Sequence, residues 1–332
     1  MGDLHRREFL AGIGALCATR SFECIGASVA AQRPLRFLAV ADIHYRPGVF
    51  PHDNREWLER ILARAEAENV DFAIQLGDFV HAAKRDRAYV DLWNDSRIQV
   101  QNVVGNHDDD GGSHSETLEA FRLERGWYSF ESGGFRFLVL DTNYALIDGR
   151  YIHYGKDGRL SGKCLEPDSK MRLHPEEIEW LEEELLKSTL PCVVVSHKPL
   201  DGTDPDSRAV QKAIETANKA NPGRVVLALN GHRHSDRWNV VDGVPFFTVN
   251  SANHHWIATR HTAYPREDVE RWREIDHIIA YDTPLSAIVT LHPGGTVSVV
   301  GQEGRFWRDI DPAEMGWRGR ISPSIANRPA KL

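Results

Sequence analysis

Metal-binding side-chain types recur at the ends of five apolar runs: Ala39-Val40-Ala41-Asp42-Ile43-His44, Ala73-Ile74-Gln75-Leu76-Gly77-Asp78, Val103-Val104-Gly105-Asn106-His107-Asp108, Val193-Val194-Val195-Ser196-His197 and Leu227-Ala228-Leu229-Asn230-Gly231-His232-Arg233-His234. Imidazole nitrogens, carboxylates and one amide oxygen make a borderline N/O donor set without thiolate, suited to Mn, Fe, Zn or Co rather than calcium. Asp42, His44, Asp78, Asn106, His197, His232 and His234 are seven candidate ligands, more than one ion needs. Two ions sharing a carboxylate fit that number better.

Such side chains must be delivered by strands. In open α/β sheets, ligands collect outside the carboxyl ends of the strands, which is where all five clusters fall. On an extended backbone residues i and i+2 point the same way, which pairs Asp42 with His44 and His232 with His234. Gly77, Gly105 and Gly231 each precede a ligand, where a chain must turn without a Cβ in the way.

Between these strands the periodicity alternates. Leu35 to Ala41 is apolar on both faces apart from Arg36, as in a strand buried between layers. Asp53 N-caps a helix running to Asn69, strand Phe72 to Leu76 follows, then a helix over 85–96, strand Val100 to Val104 and a helix over 115–123. Gly133-Gly134 and Asp242-Gly243 turn hairpins. Pro175 opens a helix whose acidic face, Glu176 to Glu184, reads as solvated, and another helix over 208–220 precedes strand Val225 to Leu229. Leu285 to Leu291 and Thr296 to Gly301 form a last hairpin. Two long insertions, 143–174 and 251–286, interrupt this pattern, and loops of that length are usually functional or disordered.

The chain has 332 residues, is 41% hydrophobic and carries a formal charge of -8, which suits one large soluble α/β domain and gives no basic footprint for a nucleic-acid polymer. Residues 1–31 read as a targeting segment: Arg6-Arg7-x-Phe9-Leu10 resembles the twin-arginine export signal, an apolar stretch follows, and small residues end at Ala30-Ala31. That predicts export to the periplasm or outside the cell, with a cytoplasmic tail as the alternative. No other stretch approaches membrane-spanning length, so no membrane association is expected after removal of the signal. Residues 33–305 form the predicted domain and 306–332, Pro-rich and aperiodic, a tail. Beyond the targeting segment only Cys164 and Cys192 remain. They provide no disulfide framework, and a bridge between them is the minor reading.

Asp42-x-His44, Gly77-Asp78, Gly105-Asn106-His107-Asp108, His197 and Gly231-His232-x-His234, in this order over 33–305, resemble the calcineurin-like metallophosphoesterase family. The resemblance implies a four-layer α/β/β/α sandwich of two stacked mixed β-sheets with flanking helices. It implies one metal on Asp42, His44, Asp78 and His234, a second on Asp78, Asn106, His197 and His232, and His107 as the group that contacts phosphate and protonates the leaving oxygen. Two cations about 3.5–4 Å apart lower the pKa of a shared water and neutralise phosphoryl oxygens during in-line attack. The expected activity is hydrolysis of a small or nucleotide-like phosphodiester or phosphomonoester, with a nucleoside-diphosphate-linked pyrophosphate as the alternative. A secreted metal-binding protein without turnover and a mononuclear metalloprotein are the competing classes. A binding role needs no acid at His107. Oligomeric state has no signature here.

Asp78, Asn106 and His107 therefore form the candidate catalytic set. Asn106, His107, His254 and His255 are candidates for substrate contact, with Tyr151-Ile152-His153-Tyr154 as a further cleft wall. Asp108 is expected to orient a ligand or backbone. His81 is expected to face solvent, although purple acid phosphatases in the family carry a tyrosine ligand at its place. His52, His114, His174, His261 and His277 read as solvated or structural, and Asp141-Thr142-Asn143 as sheet-end hydrogen bonding.

Overall fold

The structure, a computed structural model, describes residues 33–153, 171–257, 260 and 263–330. The targeting segment, Cys164, Tyr154 and His261 lie outside the described residues. Four of the five apolar runs lie in strands buried on both faces, and Val103-Val104 follows the end of a short strand with both side chains buried. β1 (Leu35–Val40) turns Leu35, Phe37 and Ala39 to one side and Leu38 and Val40 to the other, and both sides are core. In chain order follow α1 (Asn54–Ala67), β2 (Phe72–Gln75), α2 (Arg87–Asn94), β3 (Val100–Asn102), α3 (His114–Phe121) and the hairpins β4 (Tyr128–Ser132) with β5 (Phe135–Leu140) and β6 (Tyr144–Ile147) with β7 (Arg150–His153). Then come α4 (Pro175–Lys187), β8 (Cys192–Ser196), α5 (Pro205–Ala220), β9 (Val225–Asn230), β10 (Arg237–Val241) and β11 (Val244–Thr248). β12 (His254–Trp256), α6 (Arg266–Arg271) and β13 (Ile278–Ala280) occupy the second insertion. β14 (Ala287–Leu291), β15 (Val297–Val300), β16 (Gln302–Glu303) and β17 (Ser324–Ile325) complete the order.

Two mixed sheets stack face to face, β15-β14-β1-β2-β3 against β10-β11-β9-β8-β5-β4. β1, β2 and β3 run parallel, as do β5, β8, β9 and β11, so their carboxyl ends share an edge within each sheet. Between the sheets Phe37 stacks on Phe72 at 4.9 Å and meets Phe137 edge-on at 5.6 Å. Burying each such ring contributes about 1.5–3 kcal/mol. Leu58, Ile61, Val90, Trp93 and Phe121 bring α1, α2 and α3 onto the outer face of the first sheet. Leu181, Leu185, Val210 and Ile214 do the same for α4 and α5 on the second. These are the four layers expected. Asp53 caps α1 as expected, its carboxylate accepting from the backbone N–H groups of Arg55 and Glu56.

Two sequence expectations are corrected. Residues 306–330 do not trail away: Ile310, Met315 and Ile325 are buried, and β17 pairs with β16. Isolated apolar anchors hold this segment, and isolated anchors leave no period to detect. The face of α4 is not wholly solvated either, since Glu177 is fully buried and its carboxyl accepts a hydrogen bond from the Asp141 N–H. Burial, followed by the charge of Asp141, holds Glu177 well above the usual carboxylate range.

Candidate metal centre

The seven candidate ligands converge. His44 Nε2 lies 3.1 Å from His234 Nε2, Asp42 Oδ1 lies 3.4 Å from that same His234 nitrogen, and Asp78 Oδ2 stands 3.7 Å from His44 Nε2. On its other side Asp78 Oδ2 is 3.2 Å from His197 Nε2, which is 3.2 Å from both Asn106 Oδ1 and His232 Nδ1. One carboxylate oxygen thus stands between two donor groups.

Strand ends deliver them. Past β1 and β2 the parallel ladder continues, with Asp42 N donating to Gly77 O (3.1 Å) and His44 N to Asp78 O (2.8 Å). Gly231 N donates to His197 O at 3.1 Å, joining the ends of β9 and β8. The backbone there is not extended as the i, i+2 argument assumed. Asp42, His44, Asp78, His232 and His234 all have left-handed φ, between 45° and 69°. The pairing of Asp42 with His44 and of His232 with His234 therefore arises from tight left-handed turns, which fold each chain end back over the edge. Gly77 (φ 93°) and Gly105 make room: a Cβ on Gly77 would lie 2.5 Å from His197 Nδ1, and one on Gly105 would lie 2.1 Å from Asp78 N. Asp108 orients backbone as expected, accepting from the N–H groups of Asp78 (3.0 Å), Gly105 (2.7 Å) and Val80 (2.9 Å).

The hydrogen-bond network assigns the imidazole tautomers. His197 Nδ1 donates to Leu76 O at 2.8 Å and His234 Nδ1 to His254 O at 2.8 Å, so both Nε2 atoms point lone pairs inward. His44 Nδ1 sits 2.9 Å from His81 Nε2, which leaves His44 Nε2 a lone pair as well. Lone pairs and carboxylate oxygens, buried and facing one another at 3.1–3.7 Å, repel unless a cation lies among them. Burial holds His44 well below its ordinary pKa and brings His232 down to about 3, so both are neutral donors. For His197, burial is outweighed by Asp78, which pushes its pKa up to about 9, so Nε2 carries a proton unless a cation takes that proton's place beside Asp78. The donor set fits a pair of transition-metal ions.

His107 stands at the rim, its side chain 34% exposed, with Nδ1 2.7 Å from Asp110 Oδ2. Burial lowers its pKa, but Asp78 and Asp110 outweigh that and push it up to about 9. His81 does not face solvent as expected. It is buried, bridging His44 to Asp110, whose Oδ2 lies 3.1 Å from His81 Nδ1. His254 also departs from expectation: it is fully enclosed behind the centre, with Nε2 unpartnered and near His44 and His234, and exposes no edge to a cleft. β12 turns it inward because its neighbour His255 takes the opposite face. His255, bonded through Nδ1 to His234 O, lines a cavity of about 460 Å³ together with His232.

Residues 35–236 match the calcineurin-like phosphoesterase family. The chain belongs to that family. A dimetal phosphatase from Danio rerio is similar in structure (TM-score 0.55, 15% identity, 82% of this chain and 96% of that one). GAP50, the anchor in the inner membrane complex of Plasmodium, is similar too (TM-score 0.50, 14% identity, 90% of each chain). At these identities the likeness is one of fold. No curated protein matches the chain. As a calcineurin-like phosphoesterase the chain is a metal-dependent phosphoester hydrolase. Among the described residues no helix is long and apolar enough to cross a membrane.

Sequence reasoning passed over Asp110 and the roles of His81 and His254. Asp110 was legible in principle, since position i+3 from His107 in a Gly- and Asp-rich turn brings its carboxylate back onto the imidazole. Nothing in the local sequence shows which way His81 and His254 face, because both orientations depend on a strand from elsewhere in the chain.

Proposed function

We propose that this phosphoesterase cleaves phosphodiesters or phosphomonoesters of small or nucleotide-like molecules. The observation that carries the reading is Asp78 Oδ2, 3.7 Å from His44 Nε2 and 3.2 Å from His197 Nε2, a carboxylate placed to serve two ions at once. Asp42, His44, Asp78 and His234 would hold one ion, and Asp78, Asn106, His197 and His232 the other. When bound, such a pair supplies a nucleophile at neutral pH and offsets charge on the phosphoryl oxygens. Asp110 fixes the ring of His107 through Nδ1 and leaves Nε2 to donate a proton to the departing oxygen. The Asp110 carboxylate against Nδ1 favours the protonated ring. Asn106 and His107, both at the rim, would contact the phosphate.

The cavity beside His232 supports an anionic substrate: Arg233, Arg237 and Arg320 line it together with Lys198, which is paired with Asp204, and the Trp317 ring is an apolar wall. A nucleoside-diphosphate-linked pyrophosphate would suit the same wall. The export signal read at residues 1–31 supports action outside the cytoplasm.

The test is a panel of p-nitrophenyl phosphate, its bis ester, cyclic nucleotides and ADP-ribose, run with Mn(II) and with Zn(II) on the wild type and on His107→Ala. Turnover of an ester is expected, with His107→Ala lowering kcat by about 10²–10⁴ at unchanged metal content. Cleavage of ADP-ribose alone would favour the pyrophosphate reading. A wild-type rate in His107→Ala would remove His107 from the mechanism.

A further inference from the structure

A second set of donors lies beside the paired centre and shares no residue with it. His114 opens α3, Asp141 follows β5 and His153 ends β7. His114 Nε2 is 3.3 Å and His153 Nε2 is 3.1 Å from the same oxygen, Asp141 Oδ2, and the two rings stack in parallel with centroids 3.7 Å apart. With metal–ligand distances of about 2.0–2.1 Å, neighbouring donors around a tetrahedral ion are separated by about 3.3 Å. The two separations match that edge, and because the rings are parallel, one of them must turn about its Cβ–Cγ bond to aim both lone pairs at a shared ion.

Charge and hydrogen bonding point the same way. Asp109 Oδ2 lies 3.0 Å from His114 Nδ1 and accepts its hydrogen bond, which in the neutral ring leaves Nε2 a lone pair. Among the described residues that nitrogen has no hydrogen-bond partner, on a side chain nine-tenths buried, and it faces a carboxylate oxygen. Asp141 Oδ1 accepts from the backbone N–H and side-chain amide of Asn143, while Oδ2 faces both His153 Nε2, at hydrogen-bond distance, and His114 Nε2. Gly126 borders it, and a Cβ there would lie 2.1 Å from Oδ2, so the space beside the oxygen depends on glycine. Asp109 and Asp141 are both fully buried, and among the described residues neither pairs with Lys or Arg. One imidazolium would offset one of these two negative charges, and a second would stack its like charge on the first with ring centroids 3.7 Å apart. A divalent cation offsets both.

We propose that His114, Asp141 and His153 form a third cation site, for a borderline divalent ion such as zinc, with Asp109 fixing the His114 tautomer. His153, 30% exposed, is the candidate ligand on its solvent side. The site ties the β6–β7 hairpin to the loop that runs from His107 through Asp110 to His114. It acts as a structural clamp on the segment that carries the proposed acid, and no reacting group touches it.

The experiment counts zinc per chain by elemental analysis after reloading the full-length protein and removing unbound ion. The wild type is expected to hold three equivalents, His153→Ala and His114→Ala two each, and Asp78→Asn to keep the third equivalent while losing metal from the pair. Two equivalents in the wild type, or the same count in the wild type, His153→Ala and His114→Ala, would overturn the third site and leave the paired centre standing.

Discussion

Asp42, His44, Asp78, His232 and His234 hold left-handed backbone conformations that L residues occupy at a cost of about 1–3 kcal/mol each. Strain gathered on ligand-bearing residues is the mark of a site whose geometry is imposed by the sheets behind it. The residue types were readable and this conformation was not, since neither Asp nor His announces a positive φ. His52 illustrates a different residue-scale effect. It is buried against Trp57, with ring centroids 4.2 Å apart, and burial lowers its pKa to about 3. A histidine depressed in the folded state contributes stability that is complete above its unfolded pKa of about 6.5 and is lost as pH falls from there toward 3. Urea melts at pH 7 and pH 5 should show the wild type losing about 2 kcal/mol more than His52→Phe over that interval. Equal losses would mean that His52 is not held neutral by the fold.

At the scale of elements, the centre depends on how closely strand ends approach. The loop after β3 passes so near the one after β2 that a Cβ on Gly105 would lie 2.1 Å from Asp78 N and 2.4 Å from Asp78 Oδ1. Gly105→Ala must push Asp78 aside, at a cost in stability of about 1–3 kcal/mol, and should weaken binding of both ions together because both depend on that carboxylate. Calorimetric titration with Mn(II) beside a thermal melt checks this, and unchanged affinity would show that Asp78 is not shared. The strands and helices themselves were legible because each buries a repeating face: Trp57, Leu58 and Ile61 mark α1, and the double-sided run Leu35 to Val40 marks a central strand. Pairing across long gaps was less legible. β14 completes the sheet beside β1 in antiparallel register, Leu35 opposite Leu291, and no local feature of either segment specifies the other.

At the scale of the molecule, the first sheet supplies Asp42, His44, Asp78 and Asn106 from the ends of β1, β2 and β3, and the second supplies His197, His232 and His234 from the ends of β8 and β9. The candidate ligands therefore span the sandwich, and Asp78 stands between the donors of its two halves. The ordered clusters made this arrangement legible because strand ends that share an edge bring distant segments together. The second insertion and the C-terminal residues were not legible, because His254 and Met315 take their places from tertiary contacts that carry no period. Anomalous diffraction from crystals of the manganese-loaded protein tests the central claim most directly. Two peaks about 3.5–4 Å apart, one on each side of Asp78 Oδ2, are predicted. A single peak there, or two ions of which only one contacts Asp78, would contradict the account.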